Sequence, residues 1–130
     1  MDAVALASIP LFADMGAVER EQVAGVCAEL DVEVGATLLQ EGDFGYSMFA
    51  ITAGTAEVIQ QGKVIRRLGP GDVFGEIAVL SGGRRTATVV ATTPMRPISM
   101  MNRDVWRLER EAPQVGAALR ETIARCLERS

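Results

Sequence analysis

Residues 70–90 read PGDVFGEIAVLSGGRRTATVV. The stretch opens with a tight-turn signal at Pro70, Gly71 and Asp72, and Phe74, Gly75 and Glu76 then lead into a short apolar run. Two glycines, Gly82 and Gly83, precede Arg84 and Arg85, and a strand-like tail runs from Thr86 to Val90. Glu76 and Arg85 stand nine residues apart, one on each side of the apolar run. This spacing predicts a single helical turn with an acid at its start and a cation returning beside it. A helix N-terminus offers unpaired N–H groups and partial positive charge, and a glycine before it lets an anion approach the backbone closely. Arg85 adds a planar fork that fits two phosphate oxygens at once. A carboxylate beside an anion site repels the ligand unless it holds something else, and a sugar hydroxyl is the natural candidate. An anion and a hydroxyl side by side point to a ribose phosphate.

The constellation Phe74, Gly75, Glu76, Ile77, Ala78, then Arg85, Thr86 and Ala87 resembles the phosphate-binding cassette of the cyclic nucleotide-binding domain family. That family includes bacterial catabolite activators, regulatory subunits of cAMP-dependent kinase and cyclic-nucleotide-gated channels. The resemblance implies that cAMP or cGMP is the ligand, with no metal. It implies contacts from Gly75, Glu76, Ile77, Ala78, Arg85, Thr86 and Ala87, and Val58 matches a family position that touches the base. A 3′,5′-cyclic phosphate ties up two ribose oxygens, so the 2′-hydroxyl is the only sugar hydroxyl left for Glu76. Threonine after the arginine accompanies cGMP binding in several family members. The competing reading of Glu76 and Arg85 is a structural ion pair on a barrel rim, and a barrel-core role is as compatible with Val58 as a base contact.

Composition sets the outer limits. One domain with a sizeable core fits 130 residues of which 48% are apolar. A net charge of −4 disfavours nucleic acid and acidic membrane surfaces as partners. Cys27 and Cys126 lie far apart, which suits a reducing, cytoplasmic setting better than a disulfide framework. No apolar run approaches a membrane span, and the acidic start interrupted by Pro10 and Asp14 does not read as a signal peptide. With no histidine in the chain, Ser–His and Cys–His nucleophiles and histidine metal sites are excluded. The expectation is a binder and not an enzyme.

Outward from the cassette, the period changes to two from Leu30, where Val32 and Val34 alternate with Asp31 and Glu33 up to Gly35. Short strand candidates then recur at Thr37–Gln40, Ser47–Ala53, Thr55–Gln60, Lys63–Leu68, Thr86–Ala91 and Met95–Met101. Turns at Gly42-Asp43, Gly45, Gly54, Gln61-Gly62, Gly69-Pro70-Gly71 and Thr93-Pro94 separate them. Ahead of these, a helix is expected from Ala17 to Cys27, with Val18, Val23, Val26 and Cys27 inward and Glu19, Arg20, Glu21 and Gln22 in water. Behind them, Asn102 reads as an N-cap, with Val105, Trp106 and Leu108 as the apolar side and Trp106 as the anchor to the barrel. Pro113 suits the first turn of a last helix, whose face carries Val115, Leu119, Thr122, Ile123, Cys126 and Leu127. Few of those are large anchors, which predicts weak docking, and Glu121–Arg125 is a favourable i, i+4 pair.

The predicted fold is α+β. Residues 1–29 form an N-terminal helical part, residues 30–101 an antiparallel β-barrel of the double-stranded β-helix or jelly-roll type, and residues 102–130 two C-terminal helices. The cassette spans 74–87 within the barrel. By resemblance, the chain is a single sensor domain whose C-terminal helix moves over the ligand and signals to an effector protein or another subunit. A lid position falls near Cys126, with Arg125 the nearest arginine. The helix-turn-helix domain of family transcription factors is not expected within these residues. The alternative is a protein-docking module that kept the barrel and works without a nucleotide.

Overall fold

The structure is a computed structural model. It describes residues 6–13, 15–75 and 84–129, and of Leu11 and residues 126–129 the backbone only. Helices α1 (Pro10–Ala13) and α2 (Ala17–Ala24) come first. Strands β1 (Ala28–Glu29), β2 (Thr37–Leu39), β3 (Ser47–Ala53), β4 (Ala56–Gln60), β5 (Lys63–Leu68), β6 (Val73–Phe74), β7 (Thr88–Ala91) and β8 (Arg96–Met101) follow. Helices α3 (Asn102–Glu111) and α4 (Pro113–Arg129) close the order.

The predicted jelly roll is present as two antiparallel four-stranded sheets, ordered β1-β8-β3-β6 and β2-β7-β4-β5. The hydrogen-bond ladders form two sheets and not one closed cylinder. Alternation along the strands explains how the layers stack, because successive side chains point to opposite faces. On β3, Phe49 and Ile51 pack among Leu39, Ala56, Leu68, Phe74, Val89 and Ala91, between the sheets. Met48 and Ala50 face the other way, into a second core with Ile98 and Met100 of β8. That core is completed by Leu6, Ile9, Phe12, Val23, Val105, Leu108, Val115, Leu119 and Ile123. The first sheet is thus covered on both faces, by the second sheet and by the helices. β6 repeats the pattern in two residues: Phe74 stacks on Phe49, with centroids 5.1 Å apart, and Val73 packs against the helical core.

Several local expectations change. Helix α2 stops at Ala24, because Gly25 closes its last turn by donating to Glu21 O, and Val26 and Cys27 pack on the core from outside the helix. Val18 is 69% exposed, since the inward face of so short a helix is taken by Val23 and Ala24. Arg20 turns back from water and donates to the carbonyls of Ala13 and Met15, clamping the turn between α1 and α2. Asn102 is the first residue of α3 and Met101 the N-cap, with the Asp104 carboxylate accepting from Met101 N–H at 3.0 Å.

Trp106 is 51% exposed, whereas Val105 and Leu108 are buried. The inward stripe of α3 is too narrow for the indole, so Trp106 is not the anchor. α4 is seated more firmly than predicted, since Leu119 and Ile123 are fully buried. Arg125 leans towards Thr122 Oγ1 (3.5 Å), and no Glu121–Arg125 ion pair forms among the described residues. α3 and α4 are joined instead by Arg120 and Glu109, through two bonds of 3.2 and 2.7 Å. That contact raises the Arg120 pKa further. Burial pushes the Cys27 thiol up to about 12, which makes it an inert packing residue. Among the described residues, no helix is long and apolar enough to cross a membrane.

Candidate functional site

Arg85 is fixed first by its backbone. Its N–H donates to Asp43 O (2.6 Å) and its carbonyl accepts from Gly42 N–H (2.9 Å). A bridge pairs Phe44 with Arg84. The loop of residues 42–46, just before β3, therefore lies alongside the arginine segment as an extra strand-like wall. Arg84 turns outward, its guanidinium 4.5 Å over the Phe44 ring and donating to Gly42 O at 2.8 Å. The Arg85 side chain is partly buried and reaches the start of β3 and the end of β6. It donates from Nη2 to Ser47 O (2.6 Å) and from Nη1 to Gly75 O (3.2 Å). A charged donor on a main-chain carbonyl is stronger than a neutral pair, so the fork is held in one orientation between two strands.

Two glycines make room for it. Gly75 has φ +77, the left-handed region, and a side chain there would come within 2.9 Å of Ser47 O and 3.0 Å of Arg85 Nη1. Gly45 is buried, and a Cβ on it would overlap the Arg85 guanidinium itself. Glycine at 75 serves both the turn and the close approach, whereas at 45 only the approach matters.

Of the residues expected at the site, Gly75 and Arg85 are brought together. Thr86 lies exposed in a bend immediately after Arg85, and Ala87, half-buried, leads into β7. Val58 lies on β4 opposite Val89 of β7 and is partly buried against the core between the sheets. Glu76, Ile77 and Ala78 lie outside the described residues, as does the helical turn expected after Gly75. Three contributors were not singled out from the sequence as part of the site: Gly45, which read as a turn, the Ser47 carbonyl, and Gln60, whose Nε2 donates to Thr86 O at 3.1 Å. For Gly45 a signal did exist, a second glycine three residues after Gly42 and just ahead of a strand. The other two are contacts to or from the main chain and leave no residue-type signature.

The arrangement offers a cationic fork at a partly enclosed position, beside a main-chain bend. Among the described residues, no cluster of three or more carboxylate, cysteine or histidine side chains could hold a metal.

The sequence profile of the cyclic nucleotide-binding domain family matches residues 29–111. A cAMP-dependent protein kinase regulatory subunit from Yarrowia lipolytica is 36% identical over 93 residues, which is 70% of this chain and 25% of that protein. A cyclic nucleotide-gated potassium channel from Rhizobium etli is 31% identical over 117 residues, 90% of this chain and 33% of that protein. The chain thus spans a quarter to a third of the length of these curated relatives. Among solved structures, cAMP-bound PfPKA-R (141–441) superimposes with a TM-score of 0.82 at 26% identity, covering 98% of this chain and 43% of that one. The profile match, the jelly roll and the Gly75–Arg85 cradle agree: this chain belongs to the cyclic nucleotide-binding domain family.

Proposed function

We propose that the chain is a regulatory module that binds a 3′,5′-cyclic nucleotide, cAMP or cGMP. Occupancy is passed to an effector protein or another subunit through the C-terminal helix. The observation that carries this reading is the Arg85 fork, pinned by Ser47 O and Gly75 O beside a glycine in the left-handed region. A fork held in advance loses little side-chain freedom when it takes a phosphate. Arg85 supplies the cation and Thr86 and Ala87 supply backbone N–H groups. Glu76 accepts the 2′-hydroxyl, and Gly75, Ile77 and Ala78 complete the cassette. Val58 on β4 lines the base side while its inner atoms remain part of the core.

Packing supports a route from the site to α4. Ser47, whose carbonyl holds Arg85, is followed on β3 by Met48, which belongs to the same apolar core as Leu119 and Ile123 of α4. Gly75, the second carbonyl partner, follows Val73 and Phe74, one packed on the helices and the other between the sheets. A shift of the Arg85 carbonyl partners therefore presses on the helical core from two strands. A ligand moves such an element only by its different affinity for the two positions.

The test is equilibrium dialysis with cAMP and cGMP. Arg85→Ala removes the cation that meets the phosphate, which costs about 2–5 kcal/mol, roughly 30- to 4,000-fold in affinity. Glu76→Ala costs less, about 1–3 kcal/mol, and shrinks the penalty for a 2′-deoxy ligand, because both changes delete one hydrogen bond. Wild-type affinity in both variants rejects this site.

A further inference from the structure

Gln60 stands at the end of β4 and contacts neither Gly75 nor Arg85 in the bonds described above, yet it grips the segment that follows Arg85. Its Nε2 donates to the carbonyl of Thr86 at 3.1 Å. In a trans peptide, the C=O of one residue and the N–H of the next point in opposite directions across one rigid plane. A donor that holds Thr86 O towards β4 therefore turns the Ala87 N–H away from β4. The ladder between β4 and β7 ends at Ile59↔Thr88, so among the described residues no strand pairing fixes this peptide. The side chain of Gln60 replaces the missing rung.

Gln60 is itself anchored. It is followed by Gln61 (φ 52) and Gly62 (φ 80), both in the left-handed region, as in the tight two-residue hairpin that joins β4 to β5. The first N–H of that turn, on Gln61, donates to the Glu41 carboxylate at 3.1 Å. Glu41 in turn donates its own N–H to Thr88 Oγ1 at 3.0 Å, one residue beyond Ala87. The hairpin tip, the segment after β2 and the start of β7 are thereby tied together, close in sequence to both ends of the Gln60–Thr86 bond.

We propose that Gln60 is a positioning residue for the ligand. Through the Thr86 carbonyl it sets the direction of the Ala87 N–H, and through Glu41 and Gln61 the hairpin tip keeps Gln60 in place. The proposal deepens the nucleotide-binding reading and rests on it. It assigns the β4–β5 hairpin a part in phosphate recognition without any contact to the phosphate.

The test uses Gln60→Met, which keeps the length and apolar stem but has no donor, and Gln60→Glu, which keeps the shape and can only accept. Affinity for cAMP is measured by calorimetry, thermal stability by melting, and the Ala87 amide by 1H–15N spectra of the free protein. The expected result is a loss of about 2- to 12-fold in cAMP affinity for Gln60→Met, the range of one neutral hydrogen bond. Gln60→Glu loses at least as much. The Ala87 amide resonance shifts in both variants before any ligand is added, with melting temperatures close to wild type. A residue that only stabilises the hairpin would lower the melting temperature and leave the Ala87 resonance and the affinity in place, which overturns the proposal. If wild type itself takes up no cyclic nucleotide, the binding reading fails. An unmoved Ala87 resonance in the free variants sinks the positioning role whether or not the wild type binds.

Discussion

Replacing Gly45 by alanine adds one methyl group, and the structure places it inside the Arg85 guanidinium. The backbone at Gly45 is not in the left-handed region, unlike Gly75, so alanine is conformationally allowed and the whole effect is steric. Arg85 must leave its seat and give up its bonds to Ser47 O at 2.6 Å and Gly75 O at 3.2 Å. Hydrogen bonds to a charged group contribute about 1.5–3 kcal/mol each. The longer one counts at the low end, and the released guanidinium regains water, so the pair is worth roughly 2–4 kcal/mol here. Against this, a glycine-to-alanine change at a compatible site stabilises by about 0.4–1 kcal/mol through the unfolded chain. The expected net loss is about 1–3 kcal/mol. Urea unfolding of wild type, Gly45→Ala, Arg85→Ala and the double variant measures it as a cycle. With Arg85 already gone, the three atoms nearest to the new methyl group are removed, and Gly45→Ala is neutral or slightly stabilising. An equal cost in both backgrounds refutes the claim that Gly45 is glycine for the sake of Arg85.

Three further outcomes follow from the same geometry. Thr86→Ala weakens cGMP roughly 2- to 12-fold, the size of one hydroxyl hydrogen bond to a guanine folded over the ribose, while calorimetry with cAMP shows little change; equal losses for both make Thr86 structural. Cyclic nucleotide slows amide hydrogen exchange in α4, Pro113–Arg129, and protection confined to the cassette and neighbouring strands rejects the helix as the signalling element. Cys27, with burial pushing its pKa from 9.0 to about 12, binds its proton more tightly folded than unfolded. Stability is therefore unaffected by this thiol below pH 9 and falls as the pH rises from about 9 towards 12. In a Cys126→Ser background, Cys27→Ala flattens that part of the urea-midpoint profile, and parallel profiles contradict the assignment.

The sheet content was legible because short apolar runs at β3, β4, β5 and β8 are bounded by glycine and proline turns, although polar–apolar alternation itself was plain only at Asp31–Val34. The division into two cores, one on each side of the first sheet, was not read from the sequence, because it depends on which strands neighbour β3 and on where the helices pack. Helix faces were less legible. The stripe that put Val18 and Trp106 inside is correct in period, but α2 has only eight residues, and which part of a stripe is buried depends on what packs against it. At the candidate site, Arg85 was singled out by type and by its spacing from Glu76, and Gly75 as the glycine ahead of the expected turn. Gly45, Ser47 and Gln60 were not, since their roles are close approach, a main-chain acceptor and a grip on a carbonyl. Every residue carries a carbonyl, so the sequence marks no particular one as a partner.

Cyclic nucleotide binding is tested most directly by calorimetric titration of the purified chain with cAMP, with cGMP and with the linear nucleotide 5′-AMP. The expected result is saturable binding of at least one cyclic nucleotide, with Arg85→Ala losing it roughly 30-fold or more. The linear nucleotide is far weaker, because its phosphate hangs free of the ribose and carries a second negative charge. No heat and no displacement with either cyclic nucleotide, from protein that unfolds cooperatively in urea, would contradict the account and leave the jelly roll as a protein-docking module.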